Sequence, residues 1–346
     1  MSVDKSQLLV LVSGFTGLLG SQIALTALQA GYKVRGVTRS QAKGELFKQK
    51  HPELADRVSF VIVDDITAPG AFDEAVKGVD YFIHSASPLT PEDTKDNEGT
   101  VLKPAINGAL EALRSAAREP NLQRVILTSS VAAAVADVNI GDRAGKVYTE
   151  KDWYPVTYDQ AKNSTVPYFV YAASKSLAEK AAWDFVEEKK PGFTLTTILP
   201  SIIYGENQSG VPIDFTDPRP GGTNNAIAIA LDPTRDVTQI AAPSGFVDVR
   251  DTAAAHLLAA EHPDAPGERF IVVQKRYLPV EYIKFFAKEF PGRELAKVPE
   301  GYVLPPVFSW TFDGTKVQKV LGLKLHEPEE TLRDTANWLI SIKPKI

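Results

Sequence analysis

The 346-residue chain predicts an α/β protein: a doubly wound parallel sheet of the Rossmann type with a smaller C-terminal lobe. Three observations predict it. Short β-branched runs alternate with helix-like stretches over the first 130 residues, the pattern of a sheet whose strands are linked by helices. Two of these runs, LLVLV and FVIV, are continuously apolar, as parallel strands covered on both faces must be. A Gly-rich turn joins the first run to a helix-like stretch.

In chain order, strands are expected at 8–12, 33–37, 58–63, 81–84 and 125–128, with helices beginning near Leu18, Ser40, Ala71 and Val101. A polar, aromatic-bearing stretch over 138–167 precedes a helix from Tyr171 to about Lys189 and a strand at 194–199. The Gly- and Pro-rich segment 205–222 has no period, and a loop of that length in a compact domain is usually functional or disordered. A helix-like piece at 225–231 follows, then VDVRDTAAAHLLAA, a strand end running into a helix, and a last strand at 270–273. Two helices, at about 280–290 and 331–342, complete the chain. Residues 1–204, completed by about 225–275, are read as the nucleotide-binding domain. Residues 205–224 and 276–346 are read as the substrate lobe.

Composition narrows the function. With 38 Lys+Arg against 43 Asp+Glu the net charge is −5, and no basic cluster offers a nucleic-acid or anionic-membrane surface. The absence of Cys excludes disulfides, thiolate nucleophiles and Cys-ligated zinc. His51, His84, His256, His262 and His326 never fall in a ligand-type spacing, so no metal is expected. The apolar run 8–12 is too short for a signal-peptide core, and no stretch nears the ~20 residues of a membrane helix. The sequons at Asn163 and Asn207 are then chance matches, and a cytoplasmic protein is expected. No heptad marks a partner face, which leaves monomer and homodimer equally open.

The turn carries the first chemical signal. In VLVSGFTGLLGSQIALTAL, Gly14, Gly17 and Gly20 lie between a buried strand and a helix. The first allows the tight turn, the second lets backbone approach a pyrophosphate, and the third lets the helix pack on the strand. The helix N-terminus adds free N–H groups. This predicts dinucleotide binding. The second strand ends in VRGVTRSQAK, with Arg35, Arg39 and Lys43 and no carboxylate before Glu45. Cations suit a ribose 2′-phosphate, so NADP(H) is preferred over NAD(H); the alternative is a solvated basic helix start. Asp65, in VIVDDIT, is placed to accept from the adenine amino group, while a plain turn suits Asp64.

Carbonyl reduction needs a proton donor at the oxygen, and a Tyr serves when a nearby cation stabilises its phenolate. Tyr and Lys four apart share a helix face. Two such pairs exist, Tyr158/Lys162 and Tyr171/Lys175. The first lies between Pro155 and Pro167 without an apolar helical period. The second opens YAASKSLAEKAAWDFVEE, where Ala172, Leu177, Ala178, Ala181, Ala182 and Phe185 form a helical stripe, and is chosen. The end of the fifth strand, RVILTSSVAAAV, brings Thr128, Ser129 and Ser130 to the edge where such sheets bind ligands. Either serine could donate to the substrate oxygen or cap the next helix.

The motifs GFTGLLG, DDI, HSASP, LTSS, YAASK, LPSIIYG and VDVRDTAAAHL, in this order, resemble the extended short-chain dehydrogenase/reductases. More narrowly the chain is similar to the fungal NADPH-dependent aldehyde/ketone reductases, and more distantly to plant dihydroflavonol reductases, from Leu9 to about Ile342. The resemblance implies Ser130 as the catalytic serine, Tyr171 as the acid and Lys175 as its partner, which would also hold the nicotinamide-ribose hydroxyls. It implies cofactor contacts from Gly14, Phe15, Thr16, Gly17, Leu18 and Leu19, and from Arg39, Lys43, Asp65 and Ile202, with Pro200 shaping the nicotinamide side. Asn107 matches an Asn that relatives use in a proton relay or to shape the helix; a buried helix polar is the equal alternative. Positions aromatic in a yeast member are Leu89, Val131 and Ile202 here, implying a wider aliphatic pocket. Phe215 and the stretch 138–167 would help to enclose the small-molecule carbonyl substrate.

The expected function is NADPH-dependent reduction of aldehydes or ketones. One rival keeps the fold as an NAD-dependent nucleotide-sugar epimerase or dehydratase, which needs cations for a substrate diphosphate; the lobe offers Arg219 and Arg235 but no cluster. The other is a non-catalytic NADP-binding sensor, which would not need a proton donor.

Overall fold

A computed structural model describes residues 4–87, 95–135, 145–214, 222–240, 245–303 and 310–343. The strands are β1 Leu9–Ser13, β2 Lys33–Thr38, β3 Val58–Ile62, β4 Tyr81–His84, β5 Arg124–Thr128, β6 Val147–Tyr148, β7 Thr194–Pro200, β8 Ile202–Tyr204, β9 Phe246–Asp248, β10 Arg269–Val272 and β11 Thr311–Phe312. The α-helices are α1 Leu18–Gln29, α2 Gln41–Lys50, α3 Lys103–Ala116, α4 Tyr158–Lys162 and α5 Pro167–Lys189. They continue as α6 Asn225–Ala230, α7 Val249–Glu261, α8 Pro279–Glu289, α9 Thr315–Leu321 and α10 Pro328–Ile342.

Seven strands form one parallel sheet in the order β3-β2-β1-β4-β5-β7-β10. The winding reverses between β3 and β4, which opens a crevice beyond the carboxyl ends of β1 and β4. The register sets the floor of that crevice: Ser13 lies opposite His84, and Thr128 opposite Ile198.

Strand alternation sends apolar side chains to both faces. Val10 and Val12 of β1 join a core with α1 and α7, while Leu11 joins a second core with α3 and α5. All three are fully buried. A third cluster unites α6, α8 and α10 with Tyr204 and Phe246, and a further one packs Val131, Leu199 and Ile271 under Tyr148, Trp310 and Phe312. No helix among the described residues is long and apolar enough to cross a membrane.

The helix expected from Ala71 is instead a run of turns over 71–78. Gly70 and Gly78, at φ +74° and +69°, bracket a segment too short to propagate a helix. Phe72, Ala75 and Val76 are nonetheless buried in the second core. Residues 158–162, read without a helical period, form the short α4. Its cause is local: Thr157 and Gln160 make a reciprocal capping box. Helix α5 starts four residues before Tyr171, with Pro167 in its first turn, and ends at Lys190 in the left-handed conformation ahead of Pro191.

Candidate active site

The Gly-rich turn links β1 to α1 in the shape its spacing predicts. Gly14 has φ +69°, a conformation that favours glycine, and a Cβ there would lie 3.1 Å from the Ala86 nitrogen. At Gly20 a Cβ would fall 2.1 Å from the Gly14 carbonyl oxygen, so helix and turn pack against bare backbone. Gly17 caps α1 without a side-chain hydrogen bond, which leaves the first-turn N–H groups open for an anion. Thr16, Leu18 and Leu19 are half-buried around it. Phe15 is fully buried, its ring against Phe47 at 4.8 Å and Phe60 at 5.1 Å, and a Cβ at Gly36 would collide with it. Only the Phe15 backbone can therefore face a ligand.

The cations after β2 divide. Arg35 donates to the Ala75 and Lys77 carbonyls, both at 2.7 Å, and is removed from the candidate phosphate group. Arg39 and Lys43 are exposed and make no ion pair among the described residues. Ser40 separates them and caps α2 by accepting from the Lys43 N–H. Asp65 holds its own turn, accepting from the Thr67 N–H at 2.8 Å and the Thr67 hydroxyl at 2.7 Å. These bonds stabilise the carboxylate and lower its pKa. Both go to one oxygen.

The two Tyr–Lys pairs are separated by their surroundings. Tyr158 donates to Glu98 at 3.2 Å, and the same carboxylate takes Lys162 at 2.6 Å and Lys103 at 3.2 Å. Hydrogen bonds from these lysines hold the Glu98 pKa down at about 2. Asn97 reinforces the contact by donating to the Ala161, Lys162 and Ser164 carbonyls at the end of α4. Tyr158/Lys162 is thus a structural clasp. Tyr171 and Lys175 are both half-buried on α5, with the ammonium 5.6 Å from the tyrosine ring centroid. Lys175 donates to Ser87 at 2.8 Å, which ties α5 to the segment after β4.

Ser129 and Ser130 diverge in the same way. Ser129 donates to the buried Glu179 at 2.6 Å. Ser130 caps the 3-10 turn Val131–Ala133, its Oγ accepting from the Ala132 N–H at 3.2 Å. Ala132 and Tyr171 belong to the same apolar cluster, so Ser130 stands beside the packing unit that carries the tyrosine. Thr128 is engaged with His256 at 2.8 Å.

Several further residues shape this region. Ser13 Oγ accepts from the Ser85 and Ala86 N–H groups at 3.0 and 3.1 Å, which directs its own proton to His84 Nδ1 at 2.9 Å. Burial, with a smaller contribution from Lys175, pushes the His84 pKa down to about 3 and keeps the ring neutral. A small cavity under Lys175 is lined by His84, Ser87, Thr128, Ser129 and Glu179. HSASP contains His84, Ser85 and Ser87, and Glu179 lies four residues beyond Lys175, but none of these residue types announces its partner.

On the substrate side, Pro200 ends β7 and Ile202 opens β8, half-buried. The Ser201 hydroxyl between them is buried with no hydrogen-bond partner among the described residues. Val131 is 5% exposed and packs with Tyr148, Leu199 and Trp310, so its side chain serves the core and offers almost no lining surface. Asn107, weighed as a buried helix polar, is instead exposed on α3. Arg235 pairs with Asp232 at 3.9 Å. Leu89, Phe215, Arg219 and part of 138–167 lie outside the described residues.

A glycine turn at a sheet crossover, opening onto the uncapped N-terminus of α1, is the nucleotide-binding arrangement of the Rossmann-like α/β fold of extended short-chain reductases. The sequence model of the NAD dependent epimerase/dehydratase family matches residues 10–273, and the chain belongs to that family. It is 38% identical over 333 residues to an uncharacterized oxidoreductase of Schizosaccharomyces pombe, covering 96% of each chain. It is 30% identical over 353 residues to an NADPH-dependent methylglyoxal reductase of Saccharomyces cerevisiae, covering 97% of this chain and 99% of that one. The crystal structure of yeast methylglyoxal/isovaleraldehyde reductase with NADPH superposes with a TM-score of 0.84 at 29% identity, covering 98% of this chain and 100% of that chain.

Proposed function

We propose that the protein is an NADPH-dependent reductase of aldehydes and ketones that uses Ser130, Tyr171 and Lys175. The observation that carries the reading is the Tyr171–Lys175 pair on α5, half-buried beside the crossover crevice, while the competing pair is tied to Glu98. The residues present fit the cofactor. Gly14 and Gly20 let the turn and α1 close against bare backbone, and the uncapped N-terminus of α1 at Gly17 can take the pyrophosphate. Arg39 and Lys43 would hold the 2′-phosphate, Asp65 the adenine, and Pro200 and Ile202 the nicotinamide side, where the unpartnered Ser201 hydroxyl offers a further contact. The relatives named for NADPH and for aldehyde substrates support the same choice.

The bound cofactor supplies the hydride. The chain's own residues handle the oxygen. Ser130 would donate to the carbonyl as negative charge develops on it, and Tyr171 would deliver the proton. Lys175, already within 5.6 Å of the ring, would stabilise the phenolate left behind while Ser87 fixes its ammonium. Lys175 would also hold the nicotinamide-ribose hydroxyls. Loss of NADPH or NADH absorbance over a panel of aldehydes, ketones and α-dicarbonyls tests the reading. Turnover with a marked NADPH preference is expected. No turnover, together with tightly retained NAD on the purified protein, would overturn it in favour of nucleotide-sugar chemistry.

A further inference from the structure

Glu179 is 1% exposed and Arg269 7% exposed, yet neither belongs to the proposed catalytic set. Arg269 Nε donates to Glu179 Oε1 at 2.8 Å and its Nη2 to Oε2 at 3.2 Å. The carboxylate also accepts from Ser129 at 2.6 Å, from Thr197 of β7 at 2.7 Å and from Trp183 at 3.4 Å. Arg269, from β10, continues outward: its Nη1 donates to the Glu150 and Asp152 carbonyls, and its guanidinium lies 3.6 Å from the Trp153 ring centroid. One buried carboxylate thus gathers α5, the end of β5, β7 and β10, and through Arg269 the 150–153 segment.

Stability alone does not explain such a pair, since apolar residues of similar volume are often as stable or more so. Geometry gives a better reason. Tyr171, Lys175 and Glu179 follow one another at four-residue steps on α5, a single stripe of the helix. Ser129 is the immediate neighbour of Ser130, and its N–H is also fixed, to the Ile198 carbonyl at 2.8 Å. We propose that the Glu179–Arg269 pair is a positioning device: through Ser129 it sets the strand end that carries Ser130 against the helix that carries Tyr171 and Lys175. This inference rests on the reductase reading above. Glu179 and Arg269 touch no substrate; they act through the separation they impose, and small displacements of reacting groups are costly.

Removing Glu179 itself would strand a buried guanidinium and unfold the protein, so the link is best cut at Ser129. Ser129→Ala removes one hydroxyl and leaves the ion pair intact. The expected result is a kcat for NADPH-dependent aldehyde reduction lowered about tenfold. The KM for NADPH and the unfolding midpoint should stay at wild-type values, and Ser129→Thr, which keeps the hydroxyl, should restore turnover. Wild-type kcat in Ser129→Ala overturns the proposal. So does a parallel loss of NADPH affinity and thermal stability, the mark of a merely structural bond, and so does a Ser129→Thr protein as impaired as Ser129→Ala. A wild-type protein that reduces no carbonyl fails the functional reading and takes this inference with it. An active wild type with an unimpaired Ser129→Ala fails the inference alone.

Discussion

Gly17 and Gly20 belong to one turn, yet their substitutions should separate folding from cofactor binding. A Cβ on Gly20 would lie 2.1 Å from the Gly14 carbonyl oxygen and 2.6 Å from its carbon. That is roughly 1 Å short of ordinary contact, and both partners are backbone, so α1 must move away from β1. Overpacking of this kind costs about 1–3 kcal/mol, and the rigidity of the turn argues for the upper end. A Cβ on Gly17 meets the same oxygen at 3.2 Å, which a shift of a few tenths relieves, and its φ of −86° suits any residue. Gly20→Ala should therefore lower the urea midpoint of unfolding and weaken NADPH binding together. Gly17→Ala should keep stability within about 1 kcal/mol of wild type but raise the Kd for NADPH at least about tenfold, because on the proposed cofactor seat its methyl would meet the pyrophosphate. Urea unfolding and an NADPH fluorescence titration of both variants decide it. Wild-type stability in Gly20→Ala would refute the packing argument, and wild-type NADPH affinity in Gly17→Ala would refute the phosphate seat.

Other tests address the remaining parts of the site. Arg39→Ala should raise the KM for NADPH by about tenfold or more and leave that for NADH nearly unchanged, with Lys43→Ala doing the same more weakly; equal effects on both cofactors would remove the 2′-phosphate assignment. Tyr171→Phe should cut kcat at least about a hundredfold while NADPH still binds, whereas Tyr158→Phe should leave turnover close to wild type; the reverse pattern would exchange the two tyrosines. The folded-state pKa values of His84 and His256 are depressed by burial to about 3 and about 4. The unfolded chain binds protons first, so the stability these rings contribute is complete above about pH 6.5 and is lost as pH falls towards their folded values. The unfolding free energy from urea titrations should drop between pH 7 and pH 4 at a slope approaching about 1.4 kcal/mol per pH unit per histidine. A flat profile over that interval would show the rings protonated in the fold.

The strands were legible because their cause is local and repeated: a buried parallel strand must be apolar throughout, and 8–12, 58–63 and 81–84 fall on β1, β3 and β4 to within a residue. The glycine turn was legible for the same reason, since spacing and neighbours sit in one short segment. What sequence could not supply was the direction of a side chain relative to distant chain. Arg35 looked like a third cation for the phosphate, but its partners are carbonyls some forty residues away. Strand pattern and spacing alone barely separate Ser129 from Ser130, and only the fold shows that Ser129 is bound to Glu179, fifty residues away. The segment 71–78 kept its apolar pattern and its burial and lost only the helix, because the bracketing glycines, not the periodicity, decided the backbone.

The same contrast explains how the site holds its shape. Apolar packing brings α5 against α3 and the sheet, but non-directional contacts tolerate sliding along a helix axis, and a proton transfer does not. The directional bonds sit where sliding would matter. Ser13 and His84 pin β4 to β1 at the crossover, Lys175–Ser87 pins α5 to the chain leaving β4, and Glu179 pins the same helix to the end of β5. Each link joins segments at least fifty residues apart, and His84 and Glu179 are buried groups that would be costly without a partner. Breaking one therefore lets the segments it joins slide, while the apolar core around them stays closed. Losses at these positions should exceed those of fully buried apolar residues of the first core, such as Leu28, when both are scored by turnover at equal stability.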